Sequence, residues 1–272
     1  MSYEQGSIEW VKANKSLLLM NKKSVIKYSD SVSLTMPIAE SSEVIKEVGV
    51  GKMSGTMNTD GRIMVKSAMN TTNIMDSHDD VHIAGLWKKT LAENKNIIHL
   101  QEHKMTFDKV ITDEVNAYTK AMTWASLGYD YEGSTQVLVF DSVVTDSRNK
   151  YMYDLYSAGQ VKNHSVGMQY VKIELAINDK AKEYADEKAV WDKYIGEIAN
   201  ADYAKSKGYF FAVTEAKLIE GSAVVIGSNR ATPTISVTEA GKATSDDNKS
   251  EPDNTTRIDW NKLAKANILL NN

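Results

Sequence analysis

Ser165 is the residue of this sequence whose surroundings most resemble those of a catalytic nucleophile. It follows His164 directly in the stretch NHSVGMQYVKIEL, which has the character of a β-strand. Successive side chains of a strand point to opposite faces, so His164 is a poor general base for Ser165. Gly167 shares the face of Ser165 and leaves room there for a substrate backbone. A base for Ser165 must therefore come from elsewhere in the chain, unless the serine is purely structural.

The histidines that could supply this base are few. The sequence has five, at His78, His82, His99, His103 and His164. His99 and His103 lie in HLQEH, which matches the H-x-x-E-H motif of zinc peptidases. On a helix the two histidines would bind zinc, with Glu102 as the general base. The β-branched residues that open this run favour a strand, in which both histidines face the same side but form no zinc motif.

The composition is that of a globular protein and excludes several kinds of site and partner. The chain has 272 residues, of which 42% are hydrophobic and 25% charged, as in ordinary globular domains. The formal net charge of −4 argues against a general nucleic-acid binder. The absence of cysteine excludes disulfides and thiolate sites. The apolar run at residues 17–20 is too short for a membrane span, so we expect no contact with nucleic acid or membrane.

The pattern along the chain predicts an α+β fold, mostly β, with one main domain. Residues 1–42 are polar and mixed and indicate an N-terminal arm. The main domain covers residues 43–236, with a helical insertion at about residues 178–208. Residues 237–257 lack apolar periodicity and indicate a disordered linker, and residues 258–272 suit one short helix.

Three stretches together resemble the prohead proteases of tailed phages. DDVHIAGLWKKTLAENKNIIHLQEH resembles the early part of that family, where an aspartate, a glycine–aromatic turn and a helix lead to an apolar strand that ends in histidine. The counterparts here are Asp80, Gly85, Leu86, Trp87, Thr90, Leu91, Ile97, Ile98 and His103. HSVGMQY is similar to the nucleophile strand, and LIEGSAVV to an L-x-E-x-S-x-V strand. Those counterparts are Ser165, Val166, Gly167, Met168, Leu218, Glu220, Ser222 and Val224. The resemblance covers roughly residues 50–236.

The resemblance implies a fold and a site. These proteases share the fold of herpesvirus assemblins, a closed β-barrel flanked by helices. The resemblance implies Ser165 as nucleophile, His103 as base and Glu220 as the group that orients the base. It implies no metal and no cofactor. The implied activity is a serine endopeptidase of the procapsid in the host cytoplasm. It would cleave phage scaffold and major head proteins, and itself, and the family also implies a homodimer.

Departures from the family pattern keep alternatives open. Lys104 follows the histidine where an acidic residue is usual, and the glycine expected soon afterwards is missing from KMTFDKVIT. About 30 residues, helical in pattern, are inserted before the Glu220 strand. His99 therefore remains an alternative base. A catalytically inactive head or scaffold component with the same fold is one alternative function, and a zinc peptidase built on residues 99–103 is another.

Overall fold

The computed structural model describes residues 3–27, 61–94 and 96–239. The helices are α1 (Ile8–Ser24), α2 (Lys88–Glu93), α3 (Asp146–Ser157), α4 (Ala185–Tyr194) and α5 (Ala201–Lys207). The strands are β1 (Ile26–Lys27), β2 (Arg62–Thr71), β3 (Asp80–His82), β4 (His99–Gln101), β5 (Val110–Thr112), β6 (Val115–Thr123), β7 (Ser134–Thr145), β8 (Asn163–Ile177), β9 (Tyr209–Val224) and β10 (Thr234–Glu239). The described part is thus α+β with strand predominating, as the sequence predicts.

Two sheets carry the described strands. The first has the order β1-β8-β9-β4-β5, and β3 also pairs with β9. The second has the order β10-β2-β7-β6. β8 and β9 are antiparallel over almost their whole length, whereas β3 and β4 run parallel to β9. The stretch that joins β8 to β9 contains α4 and α5. The long β8–β9 pair is the frame on which the candidate site is built.

The expected closed β-barrel is wrong for the described residues, because neither sheet closes. Barrel closure needs a hydrogen-bonded ladder between every pair of neighbouring strands around the ring. Among the strands of residues 3–27, 61–94 and 96–239, the first sheet ends at β1 and β5 and the second at β10 and β6. Alternating strand patterns are the same in both architectures, so the sequence could not distinguish two packed sheets from one closed barrel.

Part of the core lies between the two sheets, and another part packs α4 and α5 against β9. Phe140 of β7 and Met69 of β2 face β9 at Gly221, where a Cβ atom would lie 2.4 Å from Phe140 Cε2. Only glycine allows the sheets to approach this closely at that point. The side chains of β9 before and after Gly221 therefore point away from the second sheet, since alternate residues face opposite sides. We call the face of the first sheet that points toward Phe140 and the second sheet the inner face, and the opposite face the outer face.

α1 packs on β8 through the buried Val11. Its first turn is capped by Ser7, whose Oγ accepts a hydrogen bond from the amide of Trp10 at 3.2 Å. Near its end, Lys22 forms an ion pair with the buried Asp80. The part of the predicted arm that the structure describes is therefore a docked helix. Residues 28–42, residues 240–257 of the predicted linker and the predicted C-terminal helix lie outside the described residues. The first three residues of the predicted linker, 237–239, belong to β10. None of the described helices is long and apolar enough to cross a membrane.

Candidate functional site

A histidine, a glutamate and a serine form a hydrogen-bonded cluster on the outer face of β9. Glu220 and Ser222 are two residues apart in the strand and therefore share a face. The chain that leaves β4 follows β9, with the amide of Glu102 donating to the carbonyl of Ala223 at 2.9 Å. The amide of the next residue, His103, donates to Ser222 Oγ at 3.0 Å. The end of β4 thus delivers the histidine to the carboxylate.

Two consecutive left-handed residues aim the histidine. Glu102 has φ 53° and His103 has φ 55°, a region that non-glycine residues rarely adopt. Such conformations cost on the order of 1–3 kcal/mol each and concentrate at functional sites. They also end the alternation of β4, so His99 faces inward while His103 turns to the outer face. The expectation that the two histidines face the same side is therefore wrong.

The imidazole and the carboxylate are in close contact. His103 Nδ1 lies 2.6 Å from Glu220 Oε1, and the two side chains are only 2% and 1% exposed. Ser222 Oγ donates to the other carboxylate oxygen, also at 2.6 Å. A carboxylate can only accept here, so Nδ1 carries the proton that it donates, and Nε2 becomes the basic nitrogen of the neutral ring. This is the tautomer that a general base requires.

Ser165 lies beside this cluster on the neighbouring strand. In the β8–β9 register, Ser165 is paired with Ser222 and Gly167 with Glu220. Directly paired residues of antiparallel strands project to the same face, so Ser165 shares the outer face with the cluster. It retains 7% exposure, whereas Ser222 is fully buried. The structure therefore brings Ser165, His103 and Glu220, the three residues singled out in the sequence, to one region of one face.

No family model, no curated protein and no solved structure matches this chain.

Ser222 is the member of the cluster to which the sequence assigns no role. It appears in the stretch LIEGSAVV two residues after Glu220, a spacing that in a strand places both side chains on one face. This spacing is the feature of the sequence from which a role for Ser222 beside Glu220 could have been predicted. The Ser222 hydroxyl links the main chain of His103 to the carboxylate, and so fixes both partners of the His103–Glu220 hydrogen bond.

A loop after β9 borders Ser165. At Gly227 a Cβ atom would lie 2.9 Å from the carbonyl oxygen of His164 and 3.7 Å from Ser165 Cβ. Glycine is therefore needed for this close approach of two main chains. Just before it, Val225 and Ile226 expose 77% and 63% of their surface. An exposed apolar pair next to a serine of low exposure forms a surface on which a peptide side chain could pack.

The zinc-peptidase alternative is not compatible with this geometry. HLQEH forms β4 and a left-handed turn rather than a helix. His99 Nδ1 lies 3.0 Å from Ser142 Oγ on the inner face, while His103 contacts Glu220 on the outer face. The two rings are separated by the sheet and cannot share one metal ion. No group of three or more His, Cys, Asp or Glu residues suited to a metal occurs in the described ranges.

His99 and His164 lie together on the inner face, joined by Tyr156. The Tyr156 hydroxyl is 3.1 Å from His99 Nε2 and 3.0 Å from His164 Nε2. Burial lowers the pKa of His99 well below its ordinary value, and the nearby His164 adds to that effect. Burial also lowers the pKa of His164, to about 4. Both rings are neutral at pH 7, and neither faces Ser165, so His99 is wrong as an alternative base.

His82 also contacts buried side chains of the core and not the Ser165 region. Its Nδ1 lies 2.8 Å from Asn70 Nδ2, and its Nε2 lies 3.3 Å from the Tyr170 hydroxyl. Burial lowers the pKa of His82 as well. Tyr170 in turn donates to Asp80 Oδ2 at 2.7 Å. This set lies at β3 and joins the Lys22–Asp80 ion pair to β8, away from the Ser165 region of that strand.

Acidification is expected to destabilise the fold through His164. Its pKa is about 4 in the folded protein and returns to about 6.5 in the unfolded chain. Between these values the unfolded chain binds a proton that the folded protein excludes. The contribution to stability is complete above pH 6.5 and is lost as the pH falls toward 4. We expect His164 alone to remove about 3 kcal/mol from the free energy of unfolding by pH 4.

Urea denaturation between about pH 7 and about pH 4 measures this effect. His164→Gln is expected to have a shallower pH dependence than the wild type. His78→Gln serves as the comparison at a partly exposed position, and the change of slope should be larger for His164→Gln than for His78→Gln. Equal slopes for the wild type and His164→Gln would show that His164 does not carry the acid sensitivity.

Proposed function

We propose that the protein is a serine endopeptidase, with Ser165 as nucleophile, His103 as general base and Glu220 as the group that orients the base. The observation that carries the proposal is the buried His103–Glu220–Ser222 cluster on the strand paired with Ser165. A nucleophile, a base with its basic nitrogen defined, and an orienting carboxylate are the parts that acyl transfer requires. Two left-handed residues placed to aim the base support a functional rather than an accidental contact.

The proposed reaction proceeds in two steps. Ser165 Oγ attacks the carbonyl carbon of the peptide bond while its proton passes to His103 Nε2. The C–N bond then breaks, and His103 returns the proton to the leaving amine, which leaves an acyl ester on Ser165. Water, activated by the same nitrogen, hydrolyses the ester to a carboxylate and regenerates the hydroxyl. Glu220 stabilises the imidazolium that forms in each step.

The edge of β8 near Ser165 offers a place for the substrate. β1 pairs with β8 at Met168 and Gln169, and the amide of His164 donates to the carbonyl of Thr232. Within the described residues, no strand pairs with this edge across Ser165–Gly167. An extended peptide binds such an edge by adding a strand, and its scissile bond would then lie next to the serine. Main-chain amides of the adjacent loop would supply the oxyanion donors.

The biological role follows from the resemblance of the sequence to prohead proteases. We propose that the enzyme acts in the procapsid in the host cytoplasm, as a homodimer. Its substrates would be phage scaffold proteins, the major head protein and its own chain. The proposed similarity to herpesvirus proteases concerns the placement of the site residues on neighbouring strands, which here belong to the first sheet. Support comes from the order of His103, Ser165 and Glu220 in the chain and from their strand contexts.

Co-expression with the scaffold and head proteins tests this proposal. Products are followed by mass spectrometry for the wild type, Ser165→Ala and wild type treated with a metal chelator. Specific cleavage that is lost only in Ser165→Ala supports the serine enzyme. Cleavage that survives in Ser165→Ala, or that stops with the chelator, contradicts it. Absence of cleavage in every sample favours the inactive head or scaffold component.

Glu220→Gln is expected to lower the cleavage rate by about 10³- to 10⁴-fold while the fold is retained. The amide keeps the shape of the side chain but presents a donor or a weaker acceptor to His103. The Nδ1–H tautomer of the imidazole is then no longer fixed, and the imidazolium formed during the reaction has no negative charge beside it. Glu215→Gln is the matched control on the same strand, because Glu215 pairs with Lys89 and Lys172 at the surface. Initial rates with a head-protein substrate measure both. A loss below about 10-fold for Glu220→Gln would remove Glu220 from its role.

A further inference from the structure

A chain of buried polar side chains lies behind Ser165 on the inner face, where the proposed reaction does not use it. We call this chain the buried relay. Its members come from five parts of the fold and are all buried: Ser142, His99, Tyr156, His164 and Thr232. Ser142 Oγ contacts His99 Nδ1 at 3.0 Å, and the Tyr156 hydroxyl contacts both histidines at 3.1 and 3.0 Å. His164 Nδ1 ends the relay at the carbonyl of Thr232, at 3.2 Å.

The direction of every hydrogen bond in the buried relay is fixed. A carbonyl only accepts, so His164 Nδ1 donates to Thr232, and the neutral ring accepts at Nε2 from the Tyr156 hydroxyl. Tyr156 has then used its only proton, so its oxygen accepts from His99 Nε2. The second nitrogen of His99 accepts from the Ser142 hydroxyl. All donors and acceptors along the relay are matched in one arrangement.

The relay ends on the main chain that adjoins the nucleophile. Thr232 binds His164 twice through the main chain and the hydroxyl: its carbonyl accepts from the His164 amide at 3.0 Å, and its Oγ1 contacts the His164 carbonyl. The same hydroxyl is 3.1 Å from the carbonyl of Asn229. Gly227, in the same loop, approaches the His164 carbonyl and Ser165. The loop and the residue before Ser165 are thus held to each other from the inner face.

We propose that the buried relay is a positioning device for the proposed peptidase, with Tyr156 as its central positioning residue. It holds the loop at residues 227–232 and the main chain of His164 at a fixed distance from Ser165. The inference rests on the proposed function, since it concerns the rate at which Ser165 reacts. Apolar residues would fill the same space, but a fully matched polar chain selects one arrangement of the strands and loop that it joins. Loss of one link leaves the fold in place and the loop less well aligned.

Tyr156→Phe tests the inference, because it removes one hydroxyl and keeps the ring. A fluorophosphonate probe that reacts with activated serines gives two readouts, the rate of labelling and the final stoichiometry. We expect labelling of Ser165 to slow by about 10- to 100-fold, with the final stoichiometry unchanged. A role in folding alone would lower the stoichiometry and leave the rate of the folded fraction as it is. Tyr153→Phe is the matched control, on the same helix and also buried, and should label like the wild type.

A second pair of variants covers the case in which Tyr156→Phe fails to fold. Thr232→Val removes the hydroxyl that holds the His164 carbonyl beside the end of the relay, with little change in shape, and Thr232→Ser retains it. Slow labelling in Thr232→Val and near-normal labelling in Thr232→Ser support the proposal. Wild-type rates in Tyr156→Phe or in Thr232→Val overturn it, while labelling of wild-type Ser165 keeps the proposed function. No labelling of Ser165 in the wild type would overturn the proposed function itself.

Discussion

Replacing Ser165 by alanine is expected to lower the rate of peptide cleavage by at least about 10³-fold. The variant removes the only atom that forms the acyl ester, so no rearrangement of the base can compensate. The fold should be retained, since the change removes one oxygen atom and leaves no larger cavity at this buried position. Initial rates of head-protein cleavage, followed by mass spectrometry with the purified chain, measure the loss.

The matched control for Ser165→Ala is Ser222→Ala. The two serines are paired in the β8–β9 register and share a face, but Ser222 contacts Glu220 and the main chain of His103 rather than the substrate edge. We expect Ser222→Ala to lower the rate by roughly 10- to 100-fold through poorer alignment of the His103–Glu220 hydrogen bond. A larger loss for Ser222→Ala than for Ser165→Ala would mean that the nucleophile had been assigned to the wrong strand.

Replacing His103 by alanine is expected to lower the rate by about 10³- to 10⁴-fold, because Ser165 then has no base and the leaving amine has no acid. Added imidazole should restore part of the activity, since the variant leaves a space beside Glu220. His78→Ala is the control, because His78 lies at the surface near β3 and should cleave at the wild-type rate. The same mass-spectrometric rate measurement applies to each variant.

The double variant Ser165→Ala/His103→Ala gives a sharper test of the pair. Residues that act as one unit give losses that do not add, so the double variant should be no slower than Ser165→Ala alone within about 3-fold. Losses that multiply would show that the two residues act independently. In that case His103 would be a structural partner of Glu220 and not the base for Ser165.

Parts of the site could be predicted from short-range sequence rules. The strand at Ser165 follows from its apolar alternation, and β8 confirms it. Strand geometry alone separates His164 from Ser165, and the structure places His164 on the inner face with Tyr156. The spacing of Glu220 and Ser222 likewise places both on one face of β9. These predictions succeed because side chains alternate between the two faces of a strand, and this alternation can be followed from neighbouring residues alone.

Other parts depend on long-range packing and could not be predicted. The left-handed conformations of Glu102 and His103 are set by hydrogen bonds to Ser222 and Ala223, which lie about 120 residues later in the chain. Propensity does not favour them, so local rules placed His103 on the same side as His99. The buried relay joins elements distant in sequence for the same reason. Sheet closure is also a property of pairings between strands, and the expectation of a closed barrel failed there.

Covalent trapping distinguishes a Ser165 that His103 activates from an ordinary buried serine. The full-length protein is treated with a fluorophosphonate probe, digested and mapped by mass spectrometry, beside Ser165→Ala and His103→Ala. We expect one adduct, on Ser165, that is absent in Ser165→Ala and forms at least about 10²-fold more slowly in His103→Ala. An unlabelled wild type, or an adduct on Ser222 in place of Ser165, would contradict the assignment of Ser165 as a nucleophile activated by His103.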